Sequence, residues 1–211
     1  MAARPYENRD PRFAATIMPN NSTFQGRPVE CWEGGADGPD KNNASRTGYY
    51  LLKYVDPELK LLQGQSAIHS WIIIRLGEIY LNYAEAMNEA YGPDAKGIYG
   101  KSAREAVNEV RGRVGMPDVV ADSKEEMREK IRHERRVELA FEDHRFWDVR
   151  RWKEGDKHFK SITEMKISKN ADTYTYTRKT VNRQWDDKMY LFPIPQSERS
   201  KNPNLTQNPG W

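Results

Sequence analysis

The chain has 211 residues, enough for one or two domains with a buried core, and its formal net charge is only +3. This charge is too small to indicate nucleic acid or an anionic membrane as a partner. A single cysteine, Cys31, excludes an internal disulfide, and we interpret it as an ordinary loop residue. No apolar run reaches the roughly 18 residues of a membrane span, and the first residues lack the apolar core of a signal peptide. Taken alone, these features indicate a cytoplasmic protein.

Residues 1–65 show no helical periodicity. Short strands are predicted at 16–18 and within 48–55, where apolar and aromatic residues concentrate. The loop 33–47 is rich in Gly, Asp and Asn, but its spacing does not match a calcium-binding EF-hand, so we predict a plain loop. This part of the chain is therefore expected to consist of loops and short strands.

Residues 66–155 follow helical spacing. A helix is predicted at about 70–91, and Gly92 and Pro93 end it. Its inward residues are predicted to be Ile72, Leu76, Ile79, Tyr83 and Met87. Ser102 and Glu105 form a capping box that opens the next helix, which Gly115 and Pro117 close. Its inward residues are predicted to be Ala103, Ala106, Val107, Val110 and Val114. Successive helices with compact turns indicate helical hairpins of the tetratricopeptide type.

A third helix, predicted at about 123–142, carries a row of carboxylates. Its apolar face begins with Met127 and Ile131, and glutamates then take over the same face. We predict a partly buried ion-pair network of Glu134, Arg135, Glu138, Glu142 and Arg145. The arginines available as partners are Arg135, Arg136, Arg145, Arg150 and Arg151. A short helix at about 144–153 follows, and the aromatic residues Phe141, Phe146, Trp147 and Trp152 are expected to pack around the network. We assign Trp147 and Trp152 to the core.

Two functional interpretations of this stretch compete with the structural one. Glu134 and Glu138 could act as a general acid and base, because crowding raises the pKa of one carboxyl. No nucleophile with a base and no Gly-rich loop accompanies them. The arginines could form a nucleic-acid patch, but the interleaved glutamates cancel the local field. We therefore predict no catalytic residue, no metal and no cofactor.

Beyond residue 155 the helical periodicity fades. Residues 173–177 alternate, which places Tyr174 and Tyr176 on one face of a strand. A further strand is predicted at 190–195, ended by its prolines. The polar, turn-rich tail ends on Trp211, and this aromatic residue suggests that the tail is held against the body.

Seven segments, in matching order and spacing, resemble the SusD/RagB family of outer-membrane nutrient-binding lipoproteins of Bacteroidetes. They are NRDPRF, TGYYLLKYVD, IRLGEIYLNYAEAMNEA, VNEVRGRVGMPDV, ERRVELAFEDHRFWDVRRW, YLFPIP and NPNLTQNPGW. The resemblance implies a mostly helical fold with tetratricopeptide-like hairpins and long irregular loops. It also implies a non-enzymatic, surface-exposed protein that binds a glycan or oligosaccharide and delivers it to a TonB-dependent transporter of the SusC type.

The sequence departs from that family in two respects. Family members are commonly more than twice as long, and they begin with a signal peptide and a lipid-modified cysteine. We therefore expect residues 1–211 to be a C-terminal region of such a protein, without the lipid anchor that would attach it to the membrane. We divide this region into 1–65, the helical core 66–155, and 156–211.

Three aromatic residues in loop-like surroundings are our candidates for glycan contact: Trp32, Tyr176 and Trp185. Exposed rings suit stacking on sugars, and the competing interpretation is that they cover the ends of helices. On this view Trp185→Ala should weaken glycan retention without lowering thermal stability. An alternative function is a helical-repeat adaptor that binds a protein partner through residues 70–152 and binds no sugar.

Overall fold

The computed structural model describes residues 5–211, in which helices predominate over strands. The α-helices are α1 (Arg12–Thr16), α2 (Leu76–Tyr91), α3 (Ala103–Gly112), α4 (Lys124–Glu138), α5 (His144–Arg151), α6 (Gly155–Phe159) and α7 (Gln196–Lys201). The strands are β1 (Ile17–Pro19), β2 (Thr23–Phe24), β3 (Arg27–Pro28), β4 (Tyr49–Leu51), β5 (Ser161–Asn170) and β6 (Thr173–Asn182). Short 3₁₀ segments lie at Leu61–Gln63 and Asp187–Tyr190.

The chain forms two compact units. The first takes its described residues from Met1–Arg145 and Met165–Thr177, and the second consists of Phe146–Glu164 and Arg178–Trp211. None of the helices within residues 5–211 combines the length and the apolar character that a membrane crossing requires.

Helices α2, α3 and α4 enclose the main hydrophobic core of the first unit. Its largest fully buried apolar side chains are Leu81, Met127, Ile131 and Leu139. Small residues of α2 and α3, such as Ala84 and Ala106, let the helix backbones approach closely. The predicted helices at 70–91, 102–115 and 123–142 are thus confirmed as elements, although their bounds differ.

Local capping chemistry sets the beginnings of α3 and α4. Ser102 accepts a hydrogen bond from the Glu105 amide, and the Glu105 carboxylate accepts one from the Ser102 amide over 2.9 Å, so the predicted capping box is confirmed. At α4, Ser123 caps the Glu126 amide, while the Glu126 carboxylate accepts from Asp122. Helix α4 ends at Glu138, four residues earlier than predicted.

The predicted inward face of α2 is wrong in part. Leu76 and Ile79 are exposed by 67% and 48%, whereas Leu81, Ala84 and Met87 are buried. Helix α2 is apolar on more than one side. Helices α3 and α4 pack on the side that carries the small Ala84, because a small residue lets them approach closely. The helix also begins six residues later than predicted, because the β-branched run 72–74 keeps the preceding chain extended.

A second hydrophobic cluster lies among the strands of the first unit. It contains Met18, Val29, Cys31, Met165 and Ile167. Strand β1 pairs antiparallel with β4, and these two are short versions of the strands predicted at 16–18 and within 48–55. Strands β2 and β3 pair as a hairpin that was not predicted. Cys31 lies outside any helix or strand, as the interpretation of it as a loop residue expects, but it is only 2% exposed and belongs to this cluster, which was not predicted.

The β5–β6 pair and the tail complete the chain. Strand β6 includes the predicted residues 173–177, whereas its partner β5 was not predicted. The strand predicted at 190–195 is wrong, because Tyr190 ends a 3₁₀ turn and residues 191–195 are irregular.

Two tryptophans of the second unit have different outcomes. Trp147 is 57% exposed, so its assignment to a core is wrong. Trp211 donates from Nε1 to the carbonyl of Lys188 over 3.0 Å, which confirms that the tail is held in place.

Candidate functional site

Three buried carboxylates lie at the end of α4. Glu134 and Glu138 belong to the last turns of the helix, and Glu142 follows in a turn that Phe141 and Asp143 form with positive φ angles of 62° and 64°. All three carboxylates are at most 5% exposed. Charges removed from water in this way need close partners of opposite sign.

Those partners come from distant parts of the first unit. Arg12 Nη1 lies 2.6 Å from Glu134 Oε1 and donates to Glu138 Oε2 over 2.8 Å. Arg75 contacts Glu138 Oε1 at 2.6 Å and Glu142 Oε2 at 2.7 Å. Three further contacts complete the network: Arg111 with Glu134 at 2.8 Å, Arg113 with Glu138 at 2.9 Å, and Lys53 with Glu142 at 2.5 Å.

The cations in these contacts are ones that the sequence did not lead us to expect. The expected arginines were neighbours of the carboxylates along the chain, but consecutive residues of a helix point in different directions. Arg135 is buried and donates to Asn82 Oδ1 over 2.6 Å, and Arg145 is half-buried on α5. The cations in the contacts given above come from α1, from the start of α2, from the end of α3 and from the loop after β4.

The protonation of the network indicates a structural role. Burial raises the pKa of Glu138, but the hydrogen bonds from Arg12 and Arg75 outweigh it, so the pKa lies below its usual 4.5. In the same way burial raises the pKa of Glu142, and the bonds from Arg75 and Lys53 outweigh it. Both groups are therefore firmly ionised near neutral pH, whereas a general acid needs a raised pKa.

Two of the three predicted ligand residues lie in one row of rings in the first unit. We define the aromatic row as Trp32, Tyr174, Tyr176 and Tyr6. Neighbouring ring centres in this order are 6.3, 6.3 and 5.5 Å apart. Tyr174 and Tyr176 share one face of β6, as predicted, and both pack on the second hydrophobic cluster. All four rings are half-buried, so part of each remains accessible.

A groove of about 940 Å³ lies beside a second aromatic group of the first unit. Phe24 and residues 54–60 line it, together with polar side chains such as Gln63. Trp71 stacks on Tyr54 with ring centres 5.1 Å apart, and Trp71 is 52% exposed. Sequence reasoning missed Trp71 because it assigned this residue to the first turn of a helix. The run of three isoleucines after it was the available signal for extended chain.

Trp185, the third predicted ligand residue, lies in the second unit. Its ring packs against Phe159 and Tyr190 with centres 5.0 Å apart in each case. Gly155 lies directly against the ring, since a Cβ there would come within 2.0 Å of it. Replacing Trp185 by alanine would remove the packing of its ring, so we no longer expect Trp185→Ala to leave thermal stability unchanged. Within residues 5–211 no group of three or more His, Cys, Asp or Glu side chains could hold a metal ion.

Comparisons with known proteins define the class to which this fold belongs. The sequence model of the SusD family matches residues 2–211. A solved SusD-like protein from Bacteroides fragilis is 39% identical, with a TM-score of 0.83 over 98% of this chain and 40% of its own. The chain therefore belongs to the SusD family.

Two further relatives are similar to this chain. A SusD-like carbohydrate binding protein of Bacteroides fragilis is 31% identical, with a TM-score of 0.71 over 95% of this chain and 42% of its own. SusD-like protein P2 of Formosa agariphila is 31% identical over 156 residues, which is 70% of this chain and 27% of the relative. The chain thus spans less than half the length of the relatives that it matches.

Proposed function

We propose that this chain binds a glycan at the cell surface as the C-terminal region of a SusD-type nutrient binder. The observation that carries the proposal is its similarity over 95% of its length to a relative named as a carbohydrate binding protein. The exposed aromatic rings supply the chemistry that such binding needs, because flat apolar faces with polar rims suit the C–H faces of sugar rings.

The groove beside Trp71 is the surface on which we place the main contact. Its walls combine apolar residues with amide and charged groups, the mixture that is typical of small-molecule sites. Tyr54 lines the groove, and the half-exposed ring of Trp71 stacks on Tyr54. The aromatic row with Trp32 and Tyr176 is a second contact surface in this proposal, and Trp185 is a third contact in the second unit.

The proposal extends to the partner and the location that the family implies. The bound glycan would pass to a TonB-dependent transporter of the SusC type at the outer membrane, without chemical conversion by this chain. The hairpin of α2 and α3 would serve as a tetratricopeptide-like scaffold for the loops. The ionised state of Glu138 and Glu142 supports the non-catalytic part of this proposal.

Affinity electrophoresis of the full chain tests the proposal. The native protein is run through gels that contain soluble starch, xylan, mannan, polygalacturonate or heparin, and its mobility is compared with that in a gel without polysaccharide. We expect retardation by at least one polysaccharide and no release of reducing sugar on incubation with it. Unchanged mobility in every gel would contradict glycan binding, and release of sugar would contradict the non-catalytic role.

One observation favours the alternative of a protein-binding adaptor. The apolar side chains of Ile73, Ile74, Leu76 and Ile79 are exposed by 48–78%, which is unusual for so many neighbouring residues on a soluble surface. An adaptor would use this surface to bind a protein and would show no shift in any polysaccharide gel. A glycan binder would show reduced mobility in a polysaccharide gel whether or not a protein covers this surface.

A further inference from the structure

A cationic groove of about 540 Å³ lies entirely within the second unit. Its eight lining residues include three cations, Lys160, Arg183 and Lys188, and one anion, Asp186. The volume falls within the range of about 300–1,000 Å³ that is typical of small-molecule sites. Its charge distinguishes it from the groove beside Trp71, whose lining mixes acidic and basic residues.

Arg183 is the lining cation of this groove whose side chain has no partner among the described residues. Within residues 5–211 the guanidinium of Arg183 makes no hydrogen bond or ion pair, while its backbone amide donates to the carbonyl of Lys160 over 2.7 Å. That backbone bond ties the segments that carry Arg183 and Lys160 to each other. The exposed guanidinium presents a planar set of N–H donors that fits a carboxylate or a sulfate.

The other lining groups leave the positive charge in place. Asp186, the one anion, uses Oδ1 to accept from the Lys188 amide and so caps the 3₁₀ turn. The Lys188 ammonium lies 4.7 Å from the centre of the Trp211 ring, and this contact with a ring does not neutralise its charge. Lys160 pairs with Asp156 at 2.7 Å, but both side chains are more than half exposed, so the pair is weak.

The groove also carries groups that recognise a sugar rather than a bare anion. The amide side chains of Asn182 and Gln184 line it on either side of Arg183 and can both donate to and accept from hydroxyl groups. The Trp185 ring contributes an apolar wall that is fixed by Gly155. A cation, two amides and an indole together match a sugar that bears an acidic group.

We propose that this groove binds an acidic saccharide, with Arg183 contacting the carboxylate of a uronic acid or the sulfate of a sulfated sugar. The proposal rests on the proposed glycan-binding function and narrows the substrate class. It makes acidic groups on the glycan, rather than ring stacking alone, the determinant of recognition in the second unit.

Binding of the full chain to four defined polymers tests this inference. Polygalacturonate and its fully methyl-esterified form differ in the carboxylate, and dextran sulfate and dextran differ in the sulfate. Arg183→Gln removes one cation of the groove. Arg178→Gln is the matched control, because Arg178 is an exposed arginine of strand β6, which ends one residue before Arg183, and it does not line the groove. Both variants should unfold at the temperature of the parent chain.

We expect an acidic polymer to bind more tightly than its neutral counterpart at 150 mM salt. Arg183→Gln should weaken that binding about tenfold, and Arg178→Gln should change it less than twofold. Binding of polygalacturonate alone would assign the carboxylate as the ligand group, and binding of dextran sulfate alone would assign the sulfate.

The failures of the two proposals can be told apart. Equal losses in both variants would show general attraction between charges and would overturn the groove as a site. Equal binding of the acidic and neutral forms would also overturn it, while glycan binding itself would stand. A chain that binds no polysaccharide, acidic or neutral, would overturn the proposed function together with this inference.

Discussion

Arg12 donates from Nη1 to Glu138 over 2.8 Å, although 126 positions separate the two residues in the chain. The same guanidinium binds Asp10 beside it, and Glu138 also receives Arg75 and Arg113. This one carboxylate therefore joins the loop segment near the start of the chain to the helical core.

Removal of the charge of Glu138 should destabilise the first unit strongly. Glu138→Gln removes the negative charge that Arg12 and Arg75 contact in a buried site that water does not reach. We therefore expect a loss of about 3 kcal/mol in the free energy of unfolding. Urea denaturation followed by circular dichroism measures this loss. Glu129→Gln on the exposed side of the same helix is the control, with an expected change below about 0.5 kcal/mol. Similar losses in both variants would refute the role of the buried network.

Acid should weaken the first unit through the same carboxylates. The folded-state pKa values of Glu138 and Glu142 lie below 4.5, so the unfolded chain takes up protons before the folded chain does. Their contribution is fully present above pH 4.5 and is lost as the pH falls through the lower folded-state values. Urea denaturation between pH 7 and pH 3 should show this decline, and the decline should be shallower in Glu138→Gln. An equal slope in both chains would assign the acid sensitivity to other groups.

Gly155→Ala should disrupt the second unit. The added methyl group would meet the Trp185 ring at 2.0 Å, and this half-buried ring packs against Phe159 and Tyr190, so we expect a loss of about 1–3 kcal/mol in the free energy of unfolding. Gly112→Ala is the matched control, because a Cβ at this helical glycine meets nothing within 4 Å. It should be neutral or slightly stabilising. Thermal unfolding of both variants gives the comparison, and tolerance of alanine at Gly155 would refute the described packing of Trp185.

The thiol of Cys31 should be nearly inert in the native protein. Burial, with a smaller effect of nearby Asp37, raises its pKa to about 12, and the side chain is 2% exposed. At pH 8 only about one thiol in 10,000 would be ionised. Ellman's reagent should therefore react far more slowly with the native protein than with the protein in urea. Equally fast reactions would place Cys31 outside the core.

Local features of the sequence predicted the helical core well. The box of Ser102 and Glu105 defines the start of α3 because all the atoms involved lie within four residues. The same holds for Ser123 at α4. By contrast, the face of α2 that becomes buried depends on which neighbours approach it, and Leu76 and Ile79 have the same helical spacing as the buried residues. Periodicity alone does not distinguish the two faces of such a helix.

The partners of the carboxylates could not be predicted from neighbouring residues in the sequence. The sequence predicts that Glu134, Glu138 and Glu142 need cations, but Arg12 and Arg75 are 126 and 63 residues away from Glu138. Only the folded chain brings them together. Trp71 illustrates the same limit for ligand binding, since its exposure depends on the extended segment that precedes α2 and on the support of Tyr54.

The most direct test of the central claim compares two exposed aromatic residues of the first unit. Trp71 and Tyr91 are 52% and 53% exposed, and each stacks or packs on one neighbouring tyrosine. Only the tyrosine on which Trp71 stacks, Tyr54, lines the groove. The affinity of the parent chain, Trp71→Ala and Tyr91→Ala for the polysaccharide that retards the parent most is measured by titration calorimetry. We predict a loss of about tenfold for Trp71→Ala, since stacking contributes about 1 kcal/mol per ring pair, and no change for Tyr91→Ala. Equal affinity of Trp71→Ala and the parent chain would contradict glycan binding at this groove.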